Sequence, residues 1–298
     1  MERSLGVKDF KILTALEERV DEALTQREIA TAADLSVGTV NRAMADLHER
    51  GFVREGMLSA AGLEALEPYR VKRAVLIAAG FGSRLVPITL NTPKPLIRVQ
   101  GRRIIDSLLD AVYAAGIEEV YVVRGYLAEQ FDQLLYKYPG LKFIENPFYN
   151  EANNISSAVA AKDLLQNAYV FESDLLLYNP KLITKYQYSS NYLGVPVQMT
   201  DDWCFQTRRG VITGLSVGGT DCHHMFGISY WTEEDGRKLA DDVPATFAMP
   251  GGKERYWDEV ALRYFARNYE VVVRECTFDD VIEIDTYREL QELDKAYV

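Results

Sequence analysis

Residues 78–96 read Ala78-Ala79-Gly80-Phe81-Gly82-Ser83-Arg84-Leu85, then Pro87 and Thr89, then Asn91-Thr92-Pro93-Lys94-Pro95-Leu96. They follow a short apolar run at 74–78, so the glycines stand where a buried strand would end. Gly80 and Gly82 let backbone N–H groups close on phosphate oxygens with no Cβ in the way. Arg84 and Lys94 add fixed cations, and Pro93 and Pro95 restrict the chain on either side of Lys94. The string lacks the Gly-Lys-Ser/Thr of a P-loop and the third glycine of a dinucleotide fingerprint. It reads as a phosphate-binding loop of another kind.

Outward from this loop, short apolar runs at 120–123, 143–144 and 169–171 resemble buried parallel strands. Helical stretches are expected near 105–115, 128–138 and 155–165. Strand–helix alternation of this kind predicts an α/β fold with a doubly wound, mixed but mainly parallel sheet. Such sheets bind ligands at the carboxyl ends of their strands, where the loop lies. The chain of 298 residues carries 33 Lys+Arg against 44 Asp+Glu, a formal charge of −11. That balance argues against a general nucleic-acid or membrane-surface binder. No apolar run reaches the ~18–20 residues that span a bilayer, and no secretory signal is visible at the N-terminus. Three widely spaced cysteines (Cys204, Cys222, Cys276) suit a reduced, cytoplasmic protein. Asp221-Cys222-His223-His224 lacks a Cys-x-x-Cys partner and, near Gly218-Gly219, is expected to be a surface turn rather than a zinc site.

Residues 1–70 have a different grammar. Phe10, Ile12, Leu13, Leu16 and Val20 are spaced for one helix face. Thr25 and Glu28 fit a capping box, Ser36 can cap a second helix bearing Val40, Met44 and Leu47, and Phe52-Val53-Arg54 with Met57-Leu58 reads as a small wing. This order resembles a winged helix-turn-helix domain, which implies DNA contact through Ser36, Thr39, Asn41 and Arg42. The segment holds 9 basic and 13 acidic side chains, a net −4, which counts against DNA and leaves a docking or dimerisation module open. Two domains are therefore expected, 1–70 and 71–298, with a homodimer left open.

The loop string as a whole resembles the signature of the sugar-1-phosphate nucleotidylyltransferase superfamily, whose fold is that of nucleotide-diphospho-sugar transferases. The rest of residues 74–292 looks most like the bacterial CTP:phosphocholine cytidylyltransferases. The shared features are Gly125-Tyr126-Leu127, Asn153-Asn154 with Ser157, Glu172-Ser173-Asp174, Asp202-Trp203, Gly227-Ile228-Ser229-Tyr230-Trp231, Tyr256-Trp257-Asp258 and Glu283-Ile284-Asp285. The resemblance implies a Mg²⁺-dependent enzyme that joins CTP to phosphocholine and releases pyrophosphate. It implies that Ala79, Gly80, Gly82, Ser83, Arg84 and Lys94 hold the triphosphate, with Lys94 and Arg84 catalytic. Asn153, Asn154 and Ser157 would lie near the cytidine; the residues by themselves read the two asparagines as caps of the helix at 155–165, and one asparagine could do each. Asp174 and Asp285 would hold the metal.

For the acceptor, a quaternary ammonium needs aromatic faces and a nearby carboxylate. Trp203, Tyr256, Trp257 and Asp258 are expected to supply them, while Trp231 is expected in the core. Ile155-Ser156 and Cys204 stand where those enzymes tend to have aromatics. A less aromatic pocket suits a primary ammonium, so phosphoethanolamine or 2-aminoethylphosphonate is the alternative acceptor. A sugar-1-phosphate enzyme ranks below these, because this region offers tryptophans in place of groups for sugar hydroxyls. A DNA-binding regulator that only senses a ligand is a further alternative, and intact Lys94, Asp174 and Asp285 argue against it.

Overall fold

Thr25 and Ser36 organise the start of the chain as their positions predict. In the computed structural model, which describes residues 5–19 and 23–298, the Glu28 backbone N–H donates to Thr25 Oγ1 at 3.3 Å. Glu28 Oε2 in turn accepts from the Thr25 N–H at 2.8 Å, so both halves of the capping box form. Ser36 Oγ accepts from the Thr39 N–H at 3.2 Å. The helices so bounded are α2 (Gln26–Ala32) and α3 (Val37–Glu49), preceded by α1 (Val7–Glu17). Strands β1 (Val53–Arg54) and β2 (Met57–Leu58) pair antiparallel as the wing, and α4 (Ala60–Leu66) follows. Phe10, Ile12, Leu13 and Leu16 are buried with Ile29, Val40, Leu47, Val53 and Leu66 in one core. Val20 lies outside the described residues. Ser36, Asn41 and Arg42 are exposed and Thr39 is half-buried. This unit comprises residues up to Arg70 together with Tyr186–Tyr188.

The second unit, Val71–Lys185 and Ser189–Val298, is built on a seven-stranded sheet. Its centre is β3 (Arg73–Ile77), and the small hairpin β4 (Arg98–Val99) and β5 (Arg102–Arg103) leads into α5 (Ile104–Ala114). Strands β6 (Glu119–Arg124) and β7 (Lys142–Glu145) extend the sheet on one side, both parallel. After α6 (Ile155–Ala160), β8 (Ala168–Glu172) lies parallel to β3 on the other side. The pair β9 (Leu175–Leu177) and β13 (Val281–Glu283) stands apart from the main sheet. The long hairpin of β10 (Asn191–Arg208) and β11 (Val211–Trp231) completes the sheet with β12 (Val272–Glu275), in the order β10-β12-β11-β8-β3-β6-β7. Helices α7 (Glu233–Ala248) and α8 (Tyr287–Leu293) complete the elements used below.

Side-chain alternation along the strands divides the core into two. Leu76, Tyr169 and Phe171 pack with α5 residues such as Leu108 and Val112. Their neighbours Ile77 and Val170 pack with Tyr192, Trp231, Leu239 and Trp257. The sheet is thus mixed but mainly parallel, covered on both faces, with a winged helix at the N-terminal end of the chain.

Three local expectations change. The stretch near 128–138 forms a 3₁₀ helix, Ala128–Tyr136, that still buries Phe131 and Leu134. The helix expected over 155–165 is α6 for one and a half turns and then a 3₁₀ turn, Lys162–Leu164. Asp221 to His224 form no turn: they run within β11, where Cys222, His223 and His224 pair with Val197, Pro196 and Val195. Cross-strand pairing overrides the local turn signal of Gly218-Gly219, which survives as an irregularity with Gly218 at φ 73°.

Replacing Thr25 with alanine removes one side of the capping box. We expect it to destabilise the N-terminal unit by about 1 kcal/mol, read as an earlier first transition in chemical denaturation of the full chain.

Candidate active site

The loop after β3 holds its shape through Gly82. That residue is left-handed, with φ 62° and ψ 38°, and a Cβ there would lie 3.0 Å from Lys94 Cβ and 3.1 Å from Thr89 Cγ2. Only glycine meets both conditions without strain. Thr89 Oγ1 donates to the Gly82 carbonyl at 3.0 Å, and the Tyr126 N–H donates to the Ala79 carbonyl at 3.1 Å. The loop is therefore fastened to its neighbours before any ligand arrives. Lys94 packs beneath it, only 8% exposed.

The Lys94 ammonium lies 2.8 Å from Asp174 Oδ2 and 3.2 Å from Asp285 Oδ1. Arg84 grips the same Asp285 through two contacts, Nη1 to Oδ2 at 2.8 Å and Nη2 to Oδ1 at 2.7 Å. The pairing of β9 with β13 brings these segments together, since Glu283 opposes Leu175 and the Ile284 N–H donates to the Asp174 carbonyl. Burial works to lower the Lys94 pKa, but Asp174 and then Asp285 outweigh it and hold the ammonium above its ordinary value. Lys94 thus stays charged in a partly dry site, where removing one partner leaves an uncompensated charge.

Glu172 and Glu283 join this cluster. Carboxylate oxygens of Glu172, Asp174 and Glu283 all lie within 4.8 Å of one another. Burial, followed by repulsion from neighbouring carboxylates (Asp258 for Glu172, Asp174 for Glu283), pushes both glutamates well above the usual carboxylate range. Asp174 Oδ1 is buried and has no hydrogen-bond partner among the described residues. Oxygen-only donors and an orphaned buried carboxylate oxygen fit a hard divalent cation.

One cleft of about 640 Å³ runs from the loop past these carboxylates to an aromatic end. There the Trp203 and Tyr256 rings meet edge to face, centroids 5.4 Å apart, and Asp202, Met225, Asp258 and Glu259 complete the wall. Tyr192 donates its hydroxyl hydrogen to Asp258 Oδ1 at 2.5 Å. Burial raises the Asp258 pKa to about 7, against the lowering effect of that hydrogen bond. Glu259 Oε2 accepts from the Tyr256 N–H at 3.0 Å, which fixes Tyr256 at the rim.

The nucleotidyl transferase family matches residues 73–191, and a winged helix-turn-helix DNA-binding family matches residues 7–54. A 2-aminoethylphosphonate cytidylyltransferase from Lancefieldella rimae is 35% identical over 229 residues, covering 76% of this chain and 93% of that protein. The chain belongs to the cytidylyltransferases of the nucleotidyl transferase family. A choline-phosphate cytidylyltransferase from Streptococcus pneumoniae is 28% identical over 225 residues, covering 74% of this chain and 97% of that one. The solved structure of the CTP:phosphocholine cytidylyltransferase from Streptococcus pneumoniae superposes with a TM-score of 0.70 at 28% identity, covering 77% of this chain and all of that one. A UDP-glucose pyrophosphorylase, at 15% identity and TM-score 0.58, shares the fold.

In this cytidylyltransferase the cleft gathers most of the residues singled out in the sequence. Gly80, Gly82, Ser83, Arg84, Lys94, Asn153, Asn154, Asp174, Trp203, Tyr256, Asp258 and Asp285 all line it. Ala79 is buried behind the loop. Ser157 is also buried, its hydroxyl 3.1 Å from Asn146 Nδ2, and it does not line the cleft. Trp257 corrects the aromatic reading: it is 2% exposed and packs against Trp231 and Tyr192 in the core. In the Tyr256-Trp257-Asp258 segment the flanking residues face the cleft and the middle one faces the sheet. Asn154, at the N-cap of α6, makes no side-chain cap bond, whereas Asn153 Oδ1 accepts from the Asn154 N–H at 2.8 Å. Trp231 is fully buried, as expected.

Two acids carried no assignment in the sequence, Glu172 and Glu283. Each stands two residues before a predicted metal carboxylate, so strand alternation was the available signal. Gly227 is the third omission. A Cβ there would lie 2.5 Å from Glu172 Cγ, so Gly227→Ala displaces Glu172 from the acidic cluster. The cytidylyltransferase variant should lose at least about tenfold in kcat and about 1–3 kcal/mol of stability, measured by steady-state kinetics and thermal unfolding.

Proposed function

We propose that this cytidylyltransferase transfers CMP from CTP to 2-aminoethylphosphonate, releasing pyrophosphate, with Mg²⁺ as cofactor. The observation that carries the acceptor is the make-up of the aromatic end: two ring faces, from Trp203 and Tyr256, against two carboxylates, Asp202 and Asp258, with Glu259 engaged by Arg263 and the Tyr256 N–H. A primary ammonium has three N–H donors and is matched by carboxylate acceptors. A quaternary ammonium has none and relies on ring faces, one of which is lost when Trp257 turns into the core. The 35% identity to a 2-aminoethylphosphonate cytidylyltransferase supports the same choice. Phosphocholine is the second reading, favoured by the edge-to-face Trp203–Tyr256 pair and by the likeness to choline-phosphate enzymes.

The chemistry requires no general base, because a phosphonate oxygen is already anionic near neutral pH. That oxygen forms a bond to the α-phosphorus of CTP as the bond to the bridging oxygen of pyrophosphate breaks. The backbone N–H groups of Gly80, Gly82 and Ser83 receive the triphosphate, and Arg84 and Lys94 neutralise its charge. Positioning and charge neutralisation account for the acceleration. Asp174 and Asp285, with Glu172 and Glu283 beside them, would hold Mg²⁺, which when bound offsets negative charge on the phosphate oxygens. Asn153 and Asn154 line the same cleft. This reading assigns catalysis to residues 71–298. It leaves residues 1–70 as a DNA-binding or docking unit, of which the net −4 favours docking.

Pyrophosphate release measured across the four nucleoside triphosphates, 2-aminoethylphosphonate, phosphoethanolamine, phosphocholine and hexose 1-phosphates tests the assignment. CTP with 2-aminoethylphosphonate should give the highest kcat/KM, with phosphocholine at least about tenfold lower. The reverse order would establish the phosphocholine reading, and turnover of hexose 1-phosphates would overturn both. Asp174→Ala should abolish Mg²⁺-dependent turnover with an unchanged circular dichroism spectrum; near-normal turnover would remove Asp174 from the metal site.

The Asp258 pKa sets a pH dependence. A carboxyl with a pKa of about 7 is neutral below that pH and attracts an ammonium only above it. Acceptor kcat/KM should therefore rise as pH increases through 7, and Asp258→Asn should show a flatter profile with a raised acceptor KM.

A further inference from the structure

Asn154 occupies the N-cap position of α6, where asparagine ordinarily spends its side-chain oxygen on its own helix. Here no such bond forms. The side-chain amide instead reaches two other segments. Nδ2 donates to Glu172 Oε1 at 2.9 Å, and Oδ1 accepts from the Trp257 backbone N–H at 2.9 Å. The orientation of the amide follows from its partners, since a backbone N–H only donates and a carboxylate accepts. Its neighbour joins the same attachment: the Asn153 N–H donates to the Lys253 carbonyl at 2.7 Å, and Asn153 Nδ2 reaches the Glu254 carbonyl at 3.4 Å.

These contacts tie two halves of the cleft together. Glu172 ends β8 and belongs to the acidic cluster beside Asp174. Trp257 lies between Tyr256 and Asp258, the residues given to the acceptor. A single planar amide therefore sets the distance between the carboxylates beside the phosphates and the wall that receives the ammonium. We propose that Asn154 is a positioning residue for the acceptor, clamping the 253–259 segment to Glu172, rather than a contact for the nucleotide. The clamp stands on the hydrogen bonds alone, and its effect on the acceptor rests on the function proposed above.

Two readouts separate the clamp from that function. Hydrogen exchange needs no substrate: in Asn154→Ala the amides of 253–259 should exchange at least about tenfold faster while those of β3 and β6 are unchanged. The near-isosteric Asn154→Leu also removes both hydrogen bonds, and there too the amides of 253–259 should exchange at least about tenfold faster. Unchanged exchange at 253–259 in Asn154→Ala would overturn the clamp, whatever the acceptor proves to be. Should Asn154→Ala fail to fold, the Asn154→Leu exchange decides: faster exchange at 253–259 supports the clamp and unchanged exchange overturns it.

In kinetics with the acceptor that the screen identifies, Asn154→Ala should raise acceptor KM about tenfold and leave the KM for CTP within about twofold. An equal or larger rise in the KM for CTP would return Asn154 to the nucleotide and overturn its acceptor role. Faster exchange at 253–259 together with no turnover of any 2-aminoethylphosphonate-like acceptor by the original chain would leave the clamp standing and remove the proposed function.

Discussion

The ammonium of Lys94 between Asp174 and Asp285 is the contact on which the cleft depends. The three residues come from distant parts of the chain: the loop after β3, the end of β8 and the segment after β13. Burial alone would discharge the lysine, and the two carboxylates reverse that tendency. The carboxylates in turn sit among Glu172 and Glu283, which burial and mutual repulsion push toward the neutral form. Without Lys94 and Arg84, the acidic cluster would be a dense group of like charges facing a polyanionic substrate. With them, the site holds charge of both signs in a fixed arrangement, which is what transfer between phosphate groups requires.

The overall charge of −11 takes its meaning from this arrangement. On the function proposed above, an acidic chain would receive a nucleotide through local electropositive groups: loop N–H groups, Arg84, Lys94 and the implied cation. Several of its acids form the cleft itself. At the far end, Asp258 is kept apart from water with Tyr192 donating to it, and Glu259 secures the Tyr256 backbone. On the function proposed above, selectivity for the acceptor would depend on the balance of ring faces and carboxylates, a balance that Trp257 shifts by packing into the core.

Much of this was legible in the residues. The capping box at Thr25, the cap at Ser36, the wing and the strand runs are local signals, and each formed where Thr25, Ser36, Val53 or Val75 led one to expect. The loop was legible as one unit because glycines, cations and prolines at fixed spacing have few other uses, and Gly80, Gly82, Ser83, Arg84 and Lys94 all line the cleft. Helix lengths after Leu127 and Asn154 were less so, since 3₁₀ and α turns share the same apolar spacing over a few residues. The strand through Cys222 and His224 was misread because glycines suggest a turn locally, whereas pairing with a distant strand decides the outcome.

The sequence by itself carried the two grammars of the chain, the strand–loop–helix order of the second, and the polar residues that the cleft gathers. Each rests on contacts within about a dozen residues or on chemistry that few side chains possess. Only the tertiary structure decided which of those groups meet. Glu172 entered the site at the end of β8 beside β3 and Glu283 through the β9–β13 pairing, Trp257 left it for the core, and Asn154 turned from its own helix to Glu172 and Trp257. A side chain's facing depends on strand register and packing across the sheet, and those are set by residues a hundred positions away.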